Sequence, residues 1–430
     1  MFHNLNLKKL SFLVYGLGTT GSSVVKYLKR NKIHDFFVWD DNIKLRKKFG
    51  YDKLIKLKDI LKKVDYIILS PGVSLKKTKH KNKLIKFDKK IITDLDLLYL
   101  CNVKFKSIVV TGSNGKSTTC KIITHLLKKN KFEVKLGGNI GTPVLNLKIR
   151  KNNFIVIEAS SFQLSHSKFI HPDYALLLNI TNDHLDWHGS KVSYINSKFK
   201  IFKLQKRKDF ALLNSNLLST FKKKKFSTRL ISINSKKYKK IKSKVKNHYL
   251  SSPINDENMS FVFALSKLLK IKESSFINSM SSFMGLPHRH EIILKKKGIT
   301  FINDSKATSF QATKYALASN KNIYWILGGL PKEKDKIDIK HFKDNIIKSY
   351  IIGKNVHFFK NQIKNKIKFE ISKNLKKALS SVLKDIKNKK KINNTILLSP
   401  SAASFDQFQN FENRGNEFKR LSKLYAKEII

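Results

Sequence analysis

"VVTGSNGKSTTC" (Val109–Cys120) decides how this chain is read. An apolar strand runs into Thr111-Gly112-Ser113-Asn114-Gly115-Lys116-Ser117-Thr118, and "TTCKIITHLLKK" (118–129) continues as a helix. Strand, glycine turn and helix in that order make a phosphate-binding loop. Backbone N–H groups and the helix dipole cradle the anion, Lys116 neutralises it, and the Ser117 hydroxyl can reach Mg²⁺. The common pattern places four residues between the first glycine and Gly-Lys-Ser/Thr. Here only Ser113 and Asn114 separate Gly112 from Gly115. The context predicts an ATP site, and the short spacing asks what the phosphate is used for.

Outward from this loop the chain divides into three blocks. Residues 1–94 hold strand patterns "LSFLVYG", "DFFVWD" and "VDYIILSPGV"; residues 95–286 hold the loop, "NFIVIEASSFQL" and "YALLLNITNDH". Residues 287–430 hold "ITFINDS", "IYWILGG", "KSYIIG" and "NTILLSP". Strands alternating with helices imply parallel sheets. The expectation is a three-domain α/β protein: an N-terminal Rossmann-like domain, a central P-loop ATPase-like domain with a mostly parallel sheet, and a C-terminal Rossmann-like domain.

Composition narrows the class. With 41% hydrophobic residues the chain can fill real cores, and no apolar run is long enough to span a membrane. Two cysteines suit a reducing cytoplasm. The net charge of +58 invites a nucleic-acid reading, yet only eight of the 88 basic residues are arginine, the better phosphate and base reader. Lysine runs such as "FKKKKF" and "KKYKKIKSKVK" sit among abundant Ile, Asn and Phe, as an AT-rich genome would produce. A solvated lysine surface is the favoured reading, and a polyanion site the alternative.

"GLGTTG" (Gly16–Gly21) matches G-x-G-x-x-G, with Asp40 at the end of the next strand. Alone it fits a nicotinamide oxidoreductase. Its physical content is narrower: backbone approaching a diphosphate at a helix N-terminus. In the second block Glu158, Asp183, His184 and Asp186 fall at strand ends, where they could complete a metal shell begun by Ser117.

Seven motifs in order, "TGSNGKSTT", "GGNIGTP", "EASSFQL", "LNITNDHLDWH", "LPHRHE", "NDSKATS" and "LLSPSAASFDQFQNFENRGNEF", resemble those of the Mur ligases, ATP-dependent amide ligases of peptidoglycan synthesis. The last two resemble the D-glutamate-adding branch. The likeness spans nearly the whole chain and is weakest around 215–250 and 335–390. It implies addition of D-glutamate to UDP-N-acetylmuramoyl-L-alanine through an acyl phosphate, with ADP and phosphate released, in cytoplasmic precursor synthesis for the cell wall.

Carried over by position, the resemblance implies that Gly112, Ser113, Asn114, Gly115, Lys116, Ser117 and Thr118 hold ATP phosphates. Asn255 and Asn258 would lie near the adenine, and Arg289, Asp304 and Lys306 would reach ATP from the third domain. Ser117, Glu158, His184 and Lys198, the last as a CO₂-derived carbamate, would hold two Mg²⁺ ions, with Asp183 beside the incoming amine. Gly18, Thr19, Thr20, Asp40, Gly72, Asn139 and Gln163 would bind the UDP-linked substrate. Asn42 stands where the family is often basic. Thr308, Lys332, Ser404, Phe405 and Phe411 would form the D-glutamate pocket, with Lys334 and Lys336 as rivals to Lys332. The partners implied are small molecules, without nucleic acid or membrane insertion, and the resemblance favours a monomer. A nucleic-acid-dependent ATPase would explain the charge and the loop but not "NDSKATS". A sister ligase or a folate polyglutamate ligase is the nearer rival.

Overall fold

Ile108, Val109 and Val110 are wholly buried, as expected of an apolar run without alternation in a parallel strand covered on both faces. The same pattern recurs in each of three sheets. The computed structural model describes residues 6–49, 56–101, 103–181, 183–247, 249–332, 335–387 and 393–427. Contacts divide the chain into two compact units, Met1–Phe283 and Met284–Ile430.

The first unit contains two parallel sheets. β1 (Phe12–Tyr15), β2 (Phe36–Trp39), β3 (Tyr66–Leu69) and β4 (Ile91–Ile92) lie in the order β2-β1-β3-β4. β5 (Lys106–Thr111), β6 (Val134–Gly138), β7 (Phe154–Glu158), β8 (Tyr174–Leu177), β9 (Phe210–Asn214) and β10 (Arg229–Ile233) follow in the order β10-β9-β8-β5-β7-β6. β5 is therefore central, flanked by β8 and β7. Ligands of parallel sheets gather beyond the carboxyl ends of the strands, so the loops after β8, β5 and β7 share one edge.

The helix Thr19–Arg30 buries Val24, Val25, Tyr27 and Leu28 and ends in Lys29 and Arg30, cations that favour a helix C-terminus. Gly21 on it could not be another residue, since a Cβ there would lie 1.8 Å from the Gly16 carbonyl oxygen. The third glycine of "GLGTTG" thus serves close helix–strand packing.

The second unit carries β11 (Glu291–Lys296), β12 (Ile299–Asn303), β13 (Ile323–Gly328), β14 (Ile346–Ile352), β15 (Phe369–Lys373) and β16 (Asn394–Leu398), in the order β11-β12-β16-β13-β14-β15. β11 pairs antiparallel with β12 and the rest are parallel. The sequence reading had no strand at "EIILKK". Its signal lay in the turn: Lys297 and Gly298 both have positive φ, 44° and 75°, as a two-residue primed hairpin turn requires. Among the described residues no helix is long and apolar enough to cross a membrane.

Candidate functional site

The loop after β5 enters the helix Lys116–Lys129 through Gly115, whose φ of 82° is left-handed. A Cβ at Gly115 would lie 2.2 Å from Asn258 Oδ1, so one of the two asparagines predicted near the adenine packs directly against this loop. Thr119 Oγ1 donates to Asn258 Oδ1 (3.2 Å), and Asn258 Nδ2 donates to Asn255 Oδ1 (3.1 Å). The loop is further pinned from the β8 side, where the Asn179 side chain accepts from Asn114 N–H and donates to Glu257. Thr181 N–H donates to Ser113 Oγ.

Two lysines meet on one atom. Lys116 Nζ and Lys198 Nζ each donate to the Gly112 carbonyl oxygen at 2.8 Å, and Lys116 also donates to Ser113 O. The two ammonium groups are thus within two hydrogen-bond lengths of each other. Lys198 is 1% exposed. Burial first, then the Lys116 charge, push its pKa down to about 7, against the opposing pull of Asp183. Burial together with the Lys116 and Lys198 charges also holds His184 below the ordinary imidazole value, with Asp183 pulling the other way. His184 has a left-handed φ of 51° and lies 3.4 Å from Asp183 Oδ2.

On the other flank Glu158, at the end of β7, is 2% exposed. Its Oε1 accepts from Asn139 Nδ2 at 2.9 Å, while Oε2 is buried with no protein partner. A buried carboxylate oxygen without a donor is costly, and a cation is its natural complement. No group of three or more His, Cys, Asp and Glu that could hold a metal occurs among the described residues. Mg²⁺ commonly takes one or two carboxylates plus substrate phosphates and water, and the open Glu158 Oε2 is a carboxylate oxygen of that kind.

Other predicted residues are placed differently. Gln163 is 2% exposed and committed inward: it closes a capping box with Ser160, and its Nε2 donates to Asp94. Gly18, Thr19, Thr20 and Gly72 follow the neighbouring strands β1 and β3, with Gly18, Thr19 and Gly72 exposed. Asp40 closes the glycine turn, accepting from Leu17 N–H at 2.7 Å and Asn42 N–H at 2.8 Å.

In the second unit, β12, β16 and β13 are neighbours, so the segments with Asp304 to Thr308, Ser404 and Phe405, and Lys332 leave one sheet edge together. Asp304 accepts from Ser399 Oγ and His290 N–H. Burial raises its pKa to about 7, opposed by these bonds and by Arg289. Arg289 itself has a buried Nε without a partner. Lys306 Nζ lies 4.8 Å from the Phe411 ring centroid. Phe405 is 69% exposed, Ser404 2%, and Lys332 and Lys336 are at the surface. Lys334 lies outside the described residues.

Two residues that sequence reasoning did not assign organise these sites. Tyr194 donates to or accepts from Ser113 Oγ at 2.7 Å and holds its ring 4.7 Å below Lys198 Nζ. The signal was available, since positions i and i+4 share a helix face. Arg414, 1% exposed, donates to Ser305 O, Ser305 Oγ, Ala402 O and, at 3.4 Å, Gly328 O. One guanidinium thereby joins the segments after β12 and β16 to the end of β13.

Against this geometry stand the comparisons. A family model described as the Mur ligase middle domain matches residues 110–273, and one described as the Mur ligase MurD-like N-terminal domain matches residues 10–92. The chain is 36% identical to the UDP-N-acetylmuramoylalanine–D-glutamate ligase of Rickettsia felis, covering 97% of both chains. It is 32% identical to that of Aquifex aeolicus, covering 97% of this chain and 99% of the other. Among solved structures, MurF ligase from Thermotoga maritima in complex with ADP shares the fold, with a TM-score of 0.56 at 18% identity over 98% of this chain and 97% of that one. UDP-N-acetylmuramate-alanine ligase MurC from the same organism also has a TM-score of 0.56, at 16% identity over 97% and 100%.

Proposed function

The chain belongs to the Mur ligase family, and we propose that it joins D-glutamate to UDP-N-acetylmuramoyl-L-alanine with ATP, releasing ADP and phosphate. The observation that carries the substrate assignment is 36% identity over 97% of both chains to a D-glutamate ligase. In this reading residues 1–94 bind the UDP-linked substrate, 95–286 bind ATP and 287–430 bind the amino acid. The compartment is the cytoplasm, which free Cys101 and Cys120 suit, and the working form is a monomer.

A carboxylate oxygen is a poor leaving group, so the alanine carboxylate first takes the γ-phosphoryl of ATP. The D-glutamate amine then attacks the acyl carbon, and phosphate departs from the tetrahedral adduct. Gly112 to Thr118 cradle the phosphates. Lys116, held at the loop by its bonds to the Gly112 and Ser113 carbonyls, serves the transferring group, where its charge counters the growing charge on the phosphoryl oxygens. Arg289, Asp304 and Lys306 contribute to ATP from the third domain, and Asn255 and Asn258 flank the adenine.

Glu158, Ser117 and His184 would hold Mg²⁺, which supplies charge neutralisation on the phosphoryl and acyl oxygens. The unpartnered Glu158 Oε2 supports this. A pKa near 7 leaves much of Lys198 as the neutral amine, the form that adds to CO₂ with loss of one proton. As a carbamate, Lys198 would exchange its repulsion with Lys116 for attraction. Asp183 lies beside the incoming amine and Asn139 toward the muramoyl substrate, while Gln163, bonded inward to Asp94, would serve that substrate only by exchanging this bond for one to it. Gly18, Thr19, Thr20, Asp40 and Gly72 serve the uridine diphosphate, and Thr308, Lys332, Ser404, Phe405 and Phe411 the D-glutamate. The test is phosphate release with UDP-N-acetylmuramoyl-L-alanine, comparing D-glutamate with L-glutamate, meso-diaminopimelate and L-lysine. Release with D-glutamate no faster than with the other three would refute the assignment.

A further inference from the structure

The strands that carry the proposed active site have a second opening at their other ends. Leu7 and Lys8 precede β1, Cys101 and Val103 precede β5, and Leu147 and Ile149 precede β7; all line one cavity of about 460 Å³. The substrate loops follow those strands. A six-residue strand is roughly 20 Å long, so this cavity is not an extension of the phosphate site.

Its walls are apolar. Tyr27, Leu98, Leu100, Val144 and Leu145 are each at most 9% exposed. Its rim is cationic. Arg30 reaches across it, donating from Nη2 to Leu145 O at 3.0 Å with its guanidinium carbon 5.9 Å from the Tyr27 ring centroid. Lys8 and Lys148 are exposed beside it. Among the described residues, none that lines it carries a carboxylate. The volume lies in the ordinary range of small-molecule sites.

We propose that this cavity binds a small amphipathic anion: an alkyl-sized apolar body among the buried side chains, its carboxylate or phosphate head held by Arg30, Lys8 and Lys148. Apolar walls give the affinity and the one-signed rim the selectivity. The walls come from the helix that flanks the first sheet, from the Val144–Asn146 turn of the domain of the second sheet, and from the helix Asp94–Leu100 between them. An occupant would tie these elements together and stabilise the native chain by mass action. The proposal stands apart from the ligase reading, and its failure leaves that reading untouched.

Cys101 makes the cavity testable. It lines the wall, whereas Cys120, the other cysteine, is wholly buried. Burial raises the Cys101 pKa, so alkylation by iodoacetamide is followed by intact mass at alkaline pH. The full chain is tested with decanoate, octyl phosphate, octylamine and acetate, each below micelle formation. A single site slows labelling about threefold at twice its dissociation constant. Protection by decanoate, octyl phosphate or both, and by neither octylamine nor acetate, is expected; the two active probes separate a carboxylate from a phosphate ligand. Lys148→Glu, a surface change, should weaken the protection, and Arg30→Ala more so. Protection by octylamine equal to that by decanoate would reduce the site to an apolar hole. Equal protection by acetate would reduce it to the general field of a cationic protein, and no protection at all would end the proposal.

Discussion

The phosphate loop and the acceptor edge of the second unit both bury charge, and they handle it in opposite ways. Around the loop charge is crowded and one site is left open: Lys116 and Lys198 donate to one carbonyl oxygen, and Glu158 Oε2 has no donor. At the other edge Arg414 is as deeply buried, yet its donors reach carbonyls of three segments. Unsatisfied charge costs native stability but leaves affinity for whatever completes it, while satisfied charge fixes a scaffold. The open charge around the loop is therefore suited to react with ligands, whereas Arg414 holds its loops still. Substitutions in the two regions should fail in different currencies.

Lys116→Ala carries the largest expected effect. Loss of a preorganised cation at a transferring phosphoryl group should lower the turnover rate about a thousandfold, roughly 4 kcal/mol of barrier. Thermal melting should change far less than turnover, because Lys116 is only half-buried and its loss relieves the like charge beside Lys198, and the Lys198 pKa should rise above its value of about 7. Near wild-type phosphate release by this variant would break the comparison at its first limb. Arg414→Met should do the reverse. Stranding the carbonyls of Ser305 and Ala402 should cost about 3 kcal/mol or more of local stability, visible as faster hydrogen exchange around residues 303–309 and 400–405. Arg414→Lys should not rescue it, since one ammonium cannot span three segments. Unchanged exchange in both variants would show the guanidinium to be incidental. Lys198→Ala comes next: activity should fall on the order of a hundredfold, with partial recovery on adding short carboxylates that replace the carbamate oxygens. Full activity without them would exclude the carbamate.

How far the sequence alone reaches differs between these regions for a physical reason. Strands β1, β5, β7 and β16 were legible because runs such as "SIVV" and "NFIVIE" are apolar on both faces. The loop was legible because Gly112, Gly115 and Lys116 have few structural reasons to stand together. β11 was not legible, because "EIILKKKG" hides a hairpin behind lysines on an edge strand. Convergence of Lys198 on Gly112 needed the fold, since 86 residues separate them. The role of Arg414 could not be read either, because a guanidinium satisfied by backbone carbonyls leaves no partner residue in the sequence. Gln163 points the same way. Its motif was recognisable, but its inward bond to Asp94 was not.

Asp94 offers the finest discrimination, because it is a buried carboxylate in the first unit that forms no ion pair among the described residues. It is 2% exposed and accepts from Gln163 Nε2 at 3.1 and 3.2 Å. Burial, with the neighbouring Asp96 charge in the same direction, raises its pKa to about 6, against the lowering by the Gln163 bonds. The unfolded chain releases that proton near pH ~4. Between the two values the native state binds more protons than the unfolded one, so stability falls as pH rises through this window. The full cost, reached above pH ~6, is on the order of 3 kcal/mol. Asp94→Asn keeps an acceptor for Gln163 and cannot ionise. Its urea midpoint should match the parent at about pH 4 and exceed it at about pH 8, with Asp96 leaving a residual slope. A variant less stable than the parent at the higher pH would mean that the ionised Asp94 is as well satisfied as Arg414. The contrast between Asp94 and Arg414 as buried charges would then vanish.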